Sequence, residues 1–269
     1  MIDKNQQMRF KFGENWMGYI ENLDVKFLDS VKIGLVGLLS QAEINNKKVI
    51  DVGSGSGVHA LGFLNLGARH VDCIDIDKSS VRATKNILSD FWMKNNYTVS
   101  QKDVLNLKNL KPNSYDIVYS WGVLHHTGDL HQAIINCSSL VKQHGKLVLG
   151  LYRKTPFCEI WRKIKIFYIS SPVMLQRLME YTYLSILIVV GFVNSVLKLN
   201  FRSTKRARGM KLRVDIRDWL GGYPYESISP NELDQLLTQL NFKIESSIIP
   251  PKSMSILGSG CNQYVYKKM

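Results

Sequence analysis

The chain has 269 residues, with 35 Lys/Arg against 22 Asp/Glu, a net charge of +13 and 45% hydrophobic residues. That size suits one α/β core carrying an insertion, and there is no internal repeat or low-complexity tract. Cys73, Cys137, Cys158 and Cys261 are scattered without C-x-x-C spacing. This suggests no disulfide framework or zinc site and fits a reducing cytoplasm, as does an N-terminus (Met1 to Gln7) without the apolar core of a signal peptide.

In chain order, Leu28 to Gln41 has helical spacing. Strands are predicted over 48–52, 70–75, 97–101, 115–120 and 146–152, with helices over 57–66, 79–94 and 129–142 between them. That alternation implies a parallel sheet with helices on both faces. After an interruption, Glu232 to Leu240 reads as a helix, and Phe242 to Ile249 and Gln263 to Lys267 read as strands.

The most informative stretch is Val49-Ile50-Asp51-Val52-Gly53-Ser54-Gly55-Ser56-Gly57. A short apolar strand runs into three glycines spaced two apart, and a helix-compatible segment, Val58 to Leu66, follows. Glycines tolerate positive φ and let the backbone approach a ligand. The helix start behind them offers free N–H groups. The dinucleotide pattern G-x-G-x-x-G fails from Gly53, because position 58 is valine. From Gly55 it ends on Ala60, which some dinucleotide folds accept, so the glycines alone leave NAD open. No Gly-Lys-Ser/Thr follows, which excludes a P-loop.

Four later stretches narrow the choice: Val71-Asp72-Cys73-Ile74-Asp75-Ile76-Asp77, Gln101-Lys102-Asp103-Val104, Tyr115 to His126, and Gly145 to Gly150. With the glycine loop, they resemble in order the landmarks of the class I S-adenosylmethionine (SAM)-dependent methyltransferases, and of their bacterial small-molecule, quinol O-methyltransferase-like group. The resemblance covers about residues 45–152. It implies a doubly wound, mostly parallel seven-stranded sheet of α/β class, the Rossmann-like methyltransferase fold, with its last strand antiparallel and here a helical insertion after the fifth strand. It also implies SAM as cofactor and S-adenosylhomocysteine (SAH) as product, bound by Asp51, Gly53, Ser54, Gly55, Gly57, Asp75, Ile76, Asp103, Val104 and Trp121. A carboxylate such as Asp75 suits two ribose hydroxyls, Asp103 suits the adenine amino group, and Asp51 suits the methionine ammonium. Asp77 competes with Asp75 but also fits the start of the next helix.

His126 and His125 lie in the loop after the fourth strand, where methyl transfer would take place. A hydroxyl acceptor benefits from a base titrating near neutral pH, so His126 is the first catalytic candidate and His125 the second. Acceptor contacts are expected from Trp16, Tyr152, Asp215, Trp219 and Tyr223. Asp215 to Glu226 reads as a shaped loop closing over the acceptor.

The expected layout is 1–151 for the N-terminal helices and SAM-binding core, 152–217 for a basic helical lid, and 218–269 for the end of the core. The insertion holds 14 Lys/Arg against 3 Asp/Glu, so it carries +11 of the chain's +13. Tyr181 to Leu197 is uncharged, slightly short for a spanning helix, and is followed by the basic run Arg202 to Arg208. The segment reads as a soluble lid, as a contact with an anionic membrane surface, or, less well, as a nucleic-acid surface. The expected partners are therefore a small-molecule or lipid acceptor and an anionic membrane surface, with O-methylation as the reaction. RNA methylation, or SAM binding without catalysis, is the alternative.

Overall fold

The computed structural model describes residues 25–107, 109–196, 212–249, 258 and 260–269. The Phe10–Trp16 segment, with the acceptor role expected for Trp16, and the basic run Arg202–Arg208 lie outside the described residues.

In chain order the elements are α1 (Val25–Val36), α2 (Gln41–Ile44), β1 (Lys48–Val52), α3 (Val58–Asn65), β2 (His70–Asp75), α4 (Lys78–Phe91), β3 (Tyr97–Gln101) and β4 (Tyr115–Trp121). Then come α5 (Leu130–Leu140), β5 (Val141–Tyr152), α6 (Cys158–Ser170), α7 (Val173–Val196), α8 (Leu212–Gly221), α9 (Pro230–Gln239), β6 (Phe242–Ile248) and β7 (Cys261–Lys268). The seven strands form one sheet in the order β3-β2-β1-β4-β5-β7-β6. All pairings are parallel except those of β7, which is antiparallel to β5 and β6.

The central strands are apolar runs because helices cover both faces. Ile50, Val118, Leu147 and Leu149 point to one face, covered by α5 and α9. Val49, Ile117, Tyr119 and Val148 point to the other, covered by α1, α3 and α4. Three of the helices start on side-chain caps. Asp77 accepts from the Ser79 N–H, Asp129 from the Gln132 N–H, and Ser229 with Glu232 forms a capping box around Pro230.

Two elements differ from expectation. β5 begins at Val141, five residues early, because Val141 pairs with Tyr115 before a register shift in β4. The segment expected as a loop from Asp215 is helical as far as Gly221. Ile216 and Leu220, one turn apart, are both buried against Trp161, Tyr168 and Tyr225, and that burial selects the helix. Only 222–226 remains irregular.

Trp161 and Tyr168 of α6, Ile216 and Leu220 of α8, and Tyr225 form a separate small core, on which the inner side of α7 packs. Glu180 of α7 is buried there, accepting from the Tyr168 hydroxyl at 2.8 Å and from Arg217 Nε at 3.2 Å.

Candidate active site

The strand order reverses between β1 and β4, and ligands of open α/β sheets bind beyond the strand C-termini at such a point. The glycine loop lies there. The N–H groups of Gly53 and Ser54 both donate to the Ile74 carbonyl, which ties the loop to β2. Gly53 has φ +78°, and a Cβ on it would lie 2.4 Å from Val123 of the loop after β4. Gly57 has φ +82°, and a Cβ there would lie 2.9 Å from the Thr84 backbone. Both positions require glycine by conformation and by space. The Gly55 N–H donates to Asp75 Oδ2 at 3.0 Å, and the Asp77 N–H to Asp75 Oδ1 at 2.9 Å. Ser54 is buried, its hydroxyl 2.9 Å from that of Thr84, so it braces the loop from inside.

Asp51, at the end of β1, is almost fully buried. Its Oδ2 has no hydrogen-bond partner among the described residues. Burial, with the charge of Asp75 second, pushes its carboxyl up to about 7. Burial likewise raises Asp75 to about 6, against the pull of its backbone donors. A buried carboxylate oxygen without a donor is costly and calls for a cation. SAM carries two, an ammonium and a sulfonium, so the residues fit it. Asp75 keeps lone pairs for ribose hydroxyls beyond the two it uses. Asp77 caps α4, as its competing reading required. Ile76, 41% exposed at the end of β2, offers an apolar surface beside Asp75. Asp103 spends Oδ1 on the Leu105 N–H at 2.9 Å, and Val104 is buried behind it. The Trp121 ring lies against Gly150, where a Cβ would be 2.9 Å away, and stacks on Tyr119 with centroids 6.2 Å apart.

The loop after β4 turns through Leu124–His126. His126 Nδ1 lies 2.6 Å from the Pro224 carbonyl. A carbonyl only accepts, so Nδ1 carries the proton and Nε2 is the basic nitrogen. His126 keeps some exposure, yet protein packed round the ring, then the nearby Lys165, hold its pKa down to about 3. The structure places His125 differently from a second base. It has no exposure, its Nδ1 accepts from the Tyr152 N–H at 3.2 Å, and its ring stacks on Tyr152 with centroids 3.6 Å apart. Tyr152 also meets His126 at 5.3 Å, Trp219 at 5.4 Å and Tyr225 at 5.5 Å. Asp215 sits one turn before Trp219 on α8, and Tyr223 lies in the segment whose Pro224 carbonyl holds His126.

Sequence reasoning missed Lys165, and it placed Tyr225 and Glu226 in the 215–226 stretch without singling them out. Lys165 is fully buried, donating to the Trp219 carbonyl, with Nζ 3.9 Å from the Trp219 ring centroid. Burial holds its amine well below the ordinary lysine range, against the opposing pull of Asp218. Its signal was there: Trp161, Lys165 and Tyr168 fall at i, i+4 and i+7, a buried stripe. Tyr225 completes the aromatic wall, and Glu226 accepts from the Leu130 N–H at 3.2 Å.

Residues 50–149 match the methyltransferase domain family. Over this stretch the chain is similar to methyltransferase domains. Over 117 residues the chain is 31% identical to the ubiquinone biosynthesis O-methyltransferase of Xanthomonas euvesicatoria pv. vesicatoria, covering 44% of this chain and 48% of that protein. Over 48 residues it is 50% identical to the ribosomal protein L11 methyltransferase of Legionella pneumophila, covering 18% and 17%. The chain thus spans about a sixth to a half of the length of these curated relatives. The magnesium protoporphyrin IX methyltransferase of Synechocystis PCC 6803, solved with bound SAH, has the same fold, with a TM-score of 0.59 and 15% identity over 98% of both chains. The methyltransferase domain accounts for the glycine loop and the acids at the strand ends. The aromatic wall of Tyr152, Trp219 and Tyr225 lies outside the matched segment.

Proposed function

We propose that the protein transfers the methyl group of SAM to a hydroxyl oxygen of a small, lipid-like acceptor. The observation that carries the reading is His126: a neutral imidazole with Nδ1–H fixed on the Pro224 carbonyl, so that Nε2 accepts, one turn beyond Val123, which touches the glycine loop. The apolar rings of Tyr152, Trp219 and Tyr225 beside it suit an apolar acceptor rather than a charged one. The relatives' names, an O-methyltransferase of ubiquinone biosynthesis and a magnesium protoporphyrin IX methyltransferase, support a small-molecule acceptor.

In this reading Asp51 takes the ammonium and Asp75 the ribose hydroxyls, while the Gly53–Gly57 backbone leaves the space the cofactor needs. Bound SAM supplies an electrophilic methyl carbon on sulfur, open to in-line displacement. The chain aligns the attacking oxygen and keeps water away. His126 Nε2 accepts the hydrogen bond of the acceptor hydroxyl and so aims its other lone pair. A base with a pKa of about 3 does not remove the proton beforehand. It takes it once the C–O bond forms, when the oxonium is a far stronger acid than the imidazolium.

The test is incubation of the purified protein with methyl-labelled SAM and fractionated lipid, small-molecule, protein and RNA extracts. Alkali-stable label in a hydroxyl-bearing lipid or quinol fraction supports the reading. Label confined to RNA would move the chain to the nucleic-acid alternative. SAM binding without label in any fraction would leave a non-catalytic SAM-binding protein.

A further inference from the structure

α7 is apolar on both sides. Its inner side packs Met179, Tyr183, Leu184 and Leu187 onto the small core it shares with α6 and α8. Its outer side presents Met174, Leu178, Tyr181, Ile188 and Val189 to solvent, at 85, 60, 53, 60 and 59% exposure. On neighbouring α6, Ile160 and Phe167 are exposed as well. A helix apolar all round belongs in a core or in lipid. Yet only 6% of Val173–Gly191, a stretch long and apolar enough to cross a membrane, is buried. Exposed apolar surface on this scale marks an interaction site.

We propose that this face docks onto a lipid bilayer bearing anionic headgroups, with α7 lying flat in the interface. The proposal goes beyond the acceptor reading and does not depend on it.

Charge selects the occupant. Arg162, Lys163 and Arg177 are exposed on α6 and α7, whose acids are Glu159 and the buried Glu180. A second copy meeting this face would bring two such charges together, and like charges oppose that contact. Anionic headgroups are attracted instead, each nearby Lys or Arg contributing about 1 kcal/mol. Glu180 sets the orientation. It lies midway along the apolar stretch and is held by Tyr168 and Arg217. A spanning α7 would carry that carboxylate to the hydrocarbon centre, where charge is costly. Lying flat keeps it in protein and gives lipid the outer face alone. The inner face of α7 shares its cluster with Tyr152 and Trp219. Tyr183 of α7 meets the Trp161 ring at 5.8 Å and Trp161 meets Trp219 at 5.0 Å, so the acceptor wall lies one ring layer behind α7.

The experiment is co-sedimentation of the full chain with phosphatidylcholine vesicles, and with vesicles one-third phosphatidylglycerol, at low and high salt. Wild type should pellet with the anionic vesicles at least about tenfold better than with the neutral ones, and salt should weaken the binding. Leu178→Glu with Ile188→Glu, and separately Arg162→Glu with Lys163→Glu and Arg177→Glu, should each lower that binding at least about tenfold. SAH affinity by calorimetry should stay as in wild type, which shows that the fold is intact and separates failure here from failure of the acceptor reading. No binding to either vesicle, or binding unchanged by both variants, would overturn the proposal. So would self-association that the Leu178→Glu/Ile188→Glu variant abolishes, which would make a second copy the occupant.

Discussion

Asp51→Asn should stabilise the ligand-free protein and cripple SAM binding in the same stroke. Burial and the neighbouring Asp75 raise the Asp51 carboxyl from 3.8 to about 7. At 1.36 kcal/mol per unit, holding it ionised in the fold costs about 4 kcal/mol at pH 8. The folded form keeps a proton that the unfolded chain has released. The stability this gives is therefore full below about pH 4 and is lost as pH rises through about 7. Asparagine is never charged, but its buried amide lacks partners, which costs about 1–3 kcal/mol. The variant should thus be more stable than wild type by about 1–3 kcal/mol at pH 8, a rise of several degrees for a domain this size. At pH 4 it should be less stable. Its SAM affinity should fall about 10- to 150-fold, since a charge-assisted hydrogen bond is worth ~1.5–3 kcal/mol. Wild-type affinity should itself drop about tenfold between pH 8 and pH 6, as the ionised fraction of a group titrating near 7 falls from about nine-tenths to about one-tenth. Denaturant unfolding at both pH values and calorimetry with SAM read these quantities. A variant less stable than wild type at pH 8 that still bound SAM equally well would refute the assignment of Asp51 to a cation.

His126→Ala should lower kcat only about tenfold, the worth of one aligning hydrogen bond, with SAH affinity intact and no kinetic pKa assignable to His126 between pH 5 and 8. A loss of 10²–10⁴-fold would mark full general-base catalysis and contradict its weak basicity. Gly53→Ala combines strain at φ +78° with a 2.4 Å approach to Val123 and should cost well over ~2 kcal/mol in chemical unfolding. Gly260→Ala, at φ +63° with nothing within 4 Å, should cost only the strain, about 1–2 kcal/mol, and equal losses at both sites would refute the steric argument. Lys165→Met should gain stability relative to wild type at pH 7, with the difference shrinking toward pH 10. The depressed amine must lose a proton on folding, and that cost disappears as the unfolded lysine deprotonates too. A difference flat with pH in thermal unfolding would mean that Lys165 stays charged in the fold.

The parts legible in the sequence are those whose causes are local. Val49, Ile50 and Val52 are apolar because both faces of β1 are covered, and Gly53 and Gly57 are glycines because backbone and side chain crowd them. The acids at the ends of β1 and β2 stand out because a polar residue closing an apolar run needs a reason. What stayed hidden depends on contacts far along the chain. His126 is held by Pro224, 98 residues away, and Lys165 by Trp219, 54 away. Two adjacent histidines look equivalent in sequence, but only the tertiary packing shows that His125 is stacked inside on Tyr152 while His126 stays partly exposed. In the sequence, 215–221 reads as loop because Gly221-Gly222 and a cluster of aromatics suggest a turn. Its helical signal, Ile216 and Leu220 one turn apart, becomes decisive only with the small core beneath it. The same separation runs through function. The cofactor half of the site is built from consecutive strand ends and could be read from motifs. The half proposed for the acceptor draws on β5, α6, α8 and the 222–226 segment, and that packing is recorded in no motif. Its partners, a buried lysine among aromatic rings and a neutral histidine, depend on water being kept out. The acceptor's identity should therefore track changes in the insertion more than changes in the glycine loop.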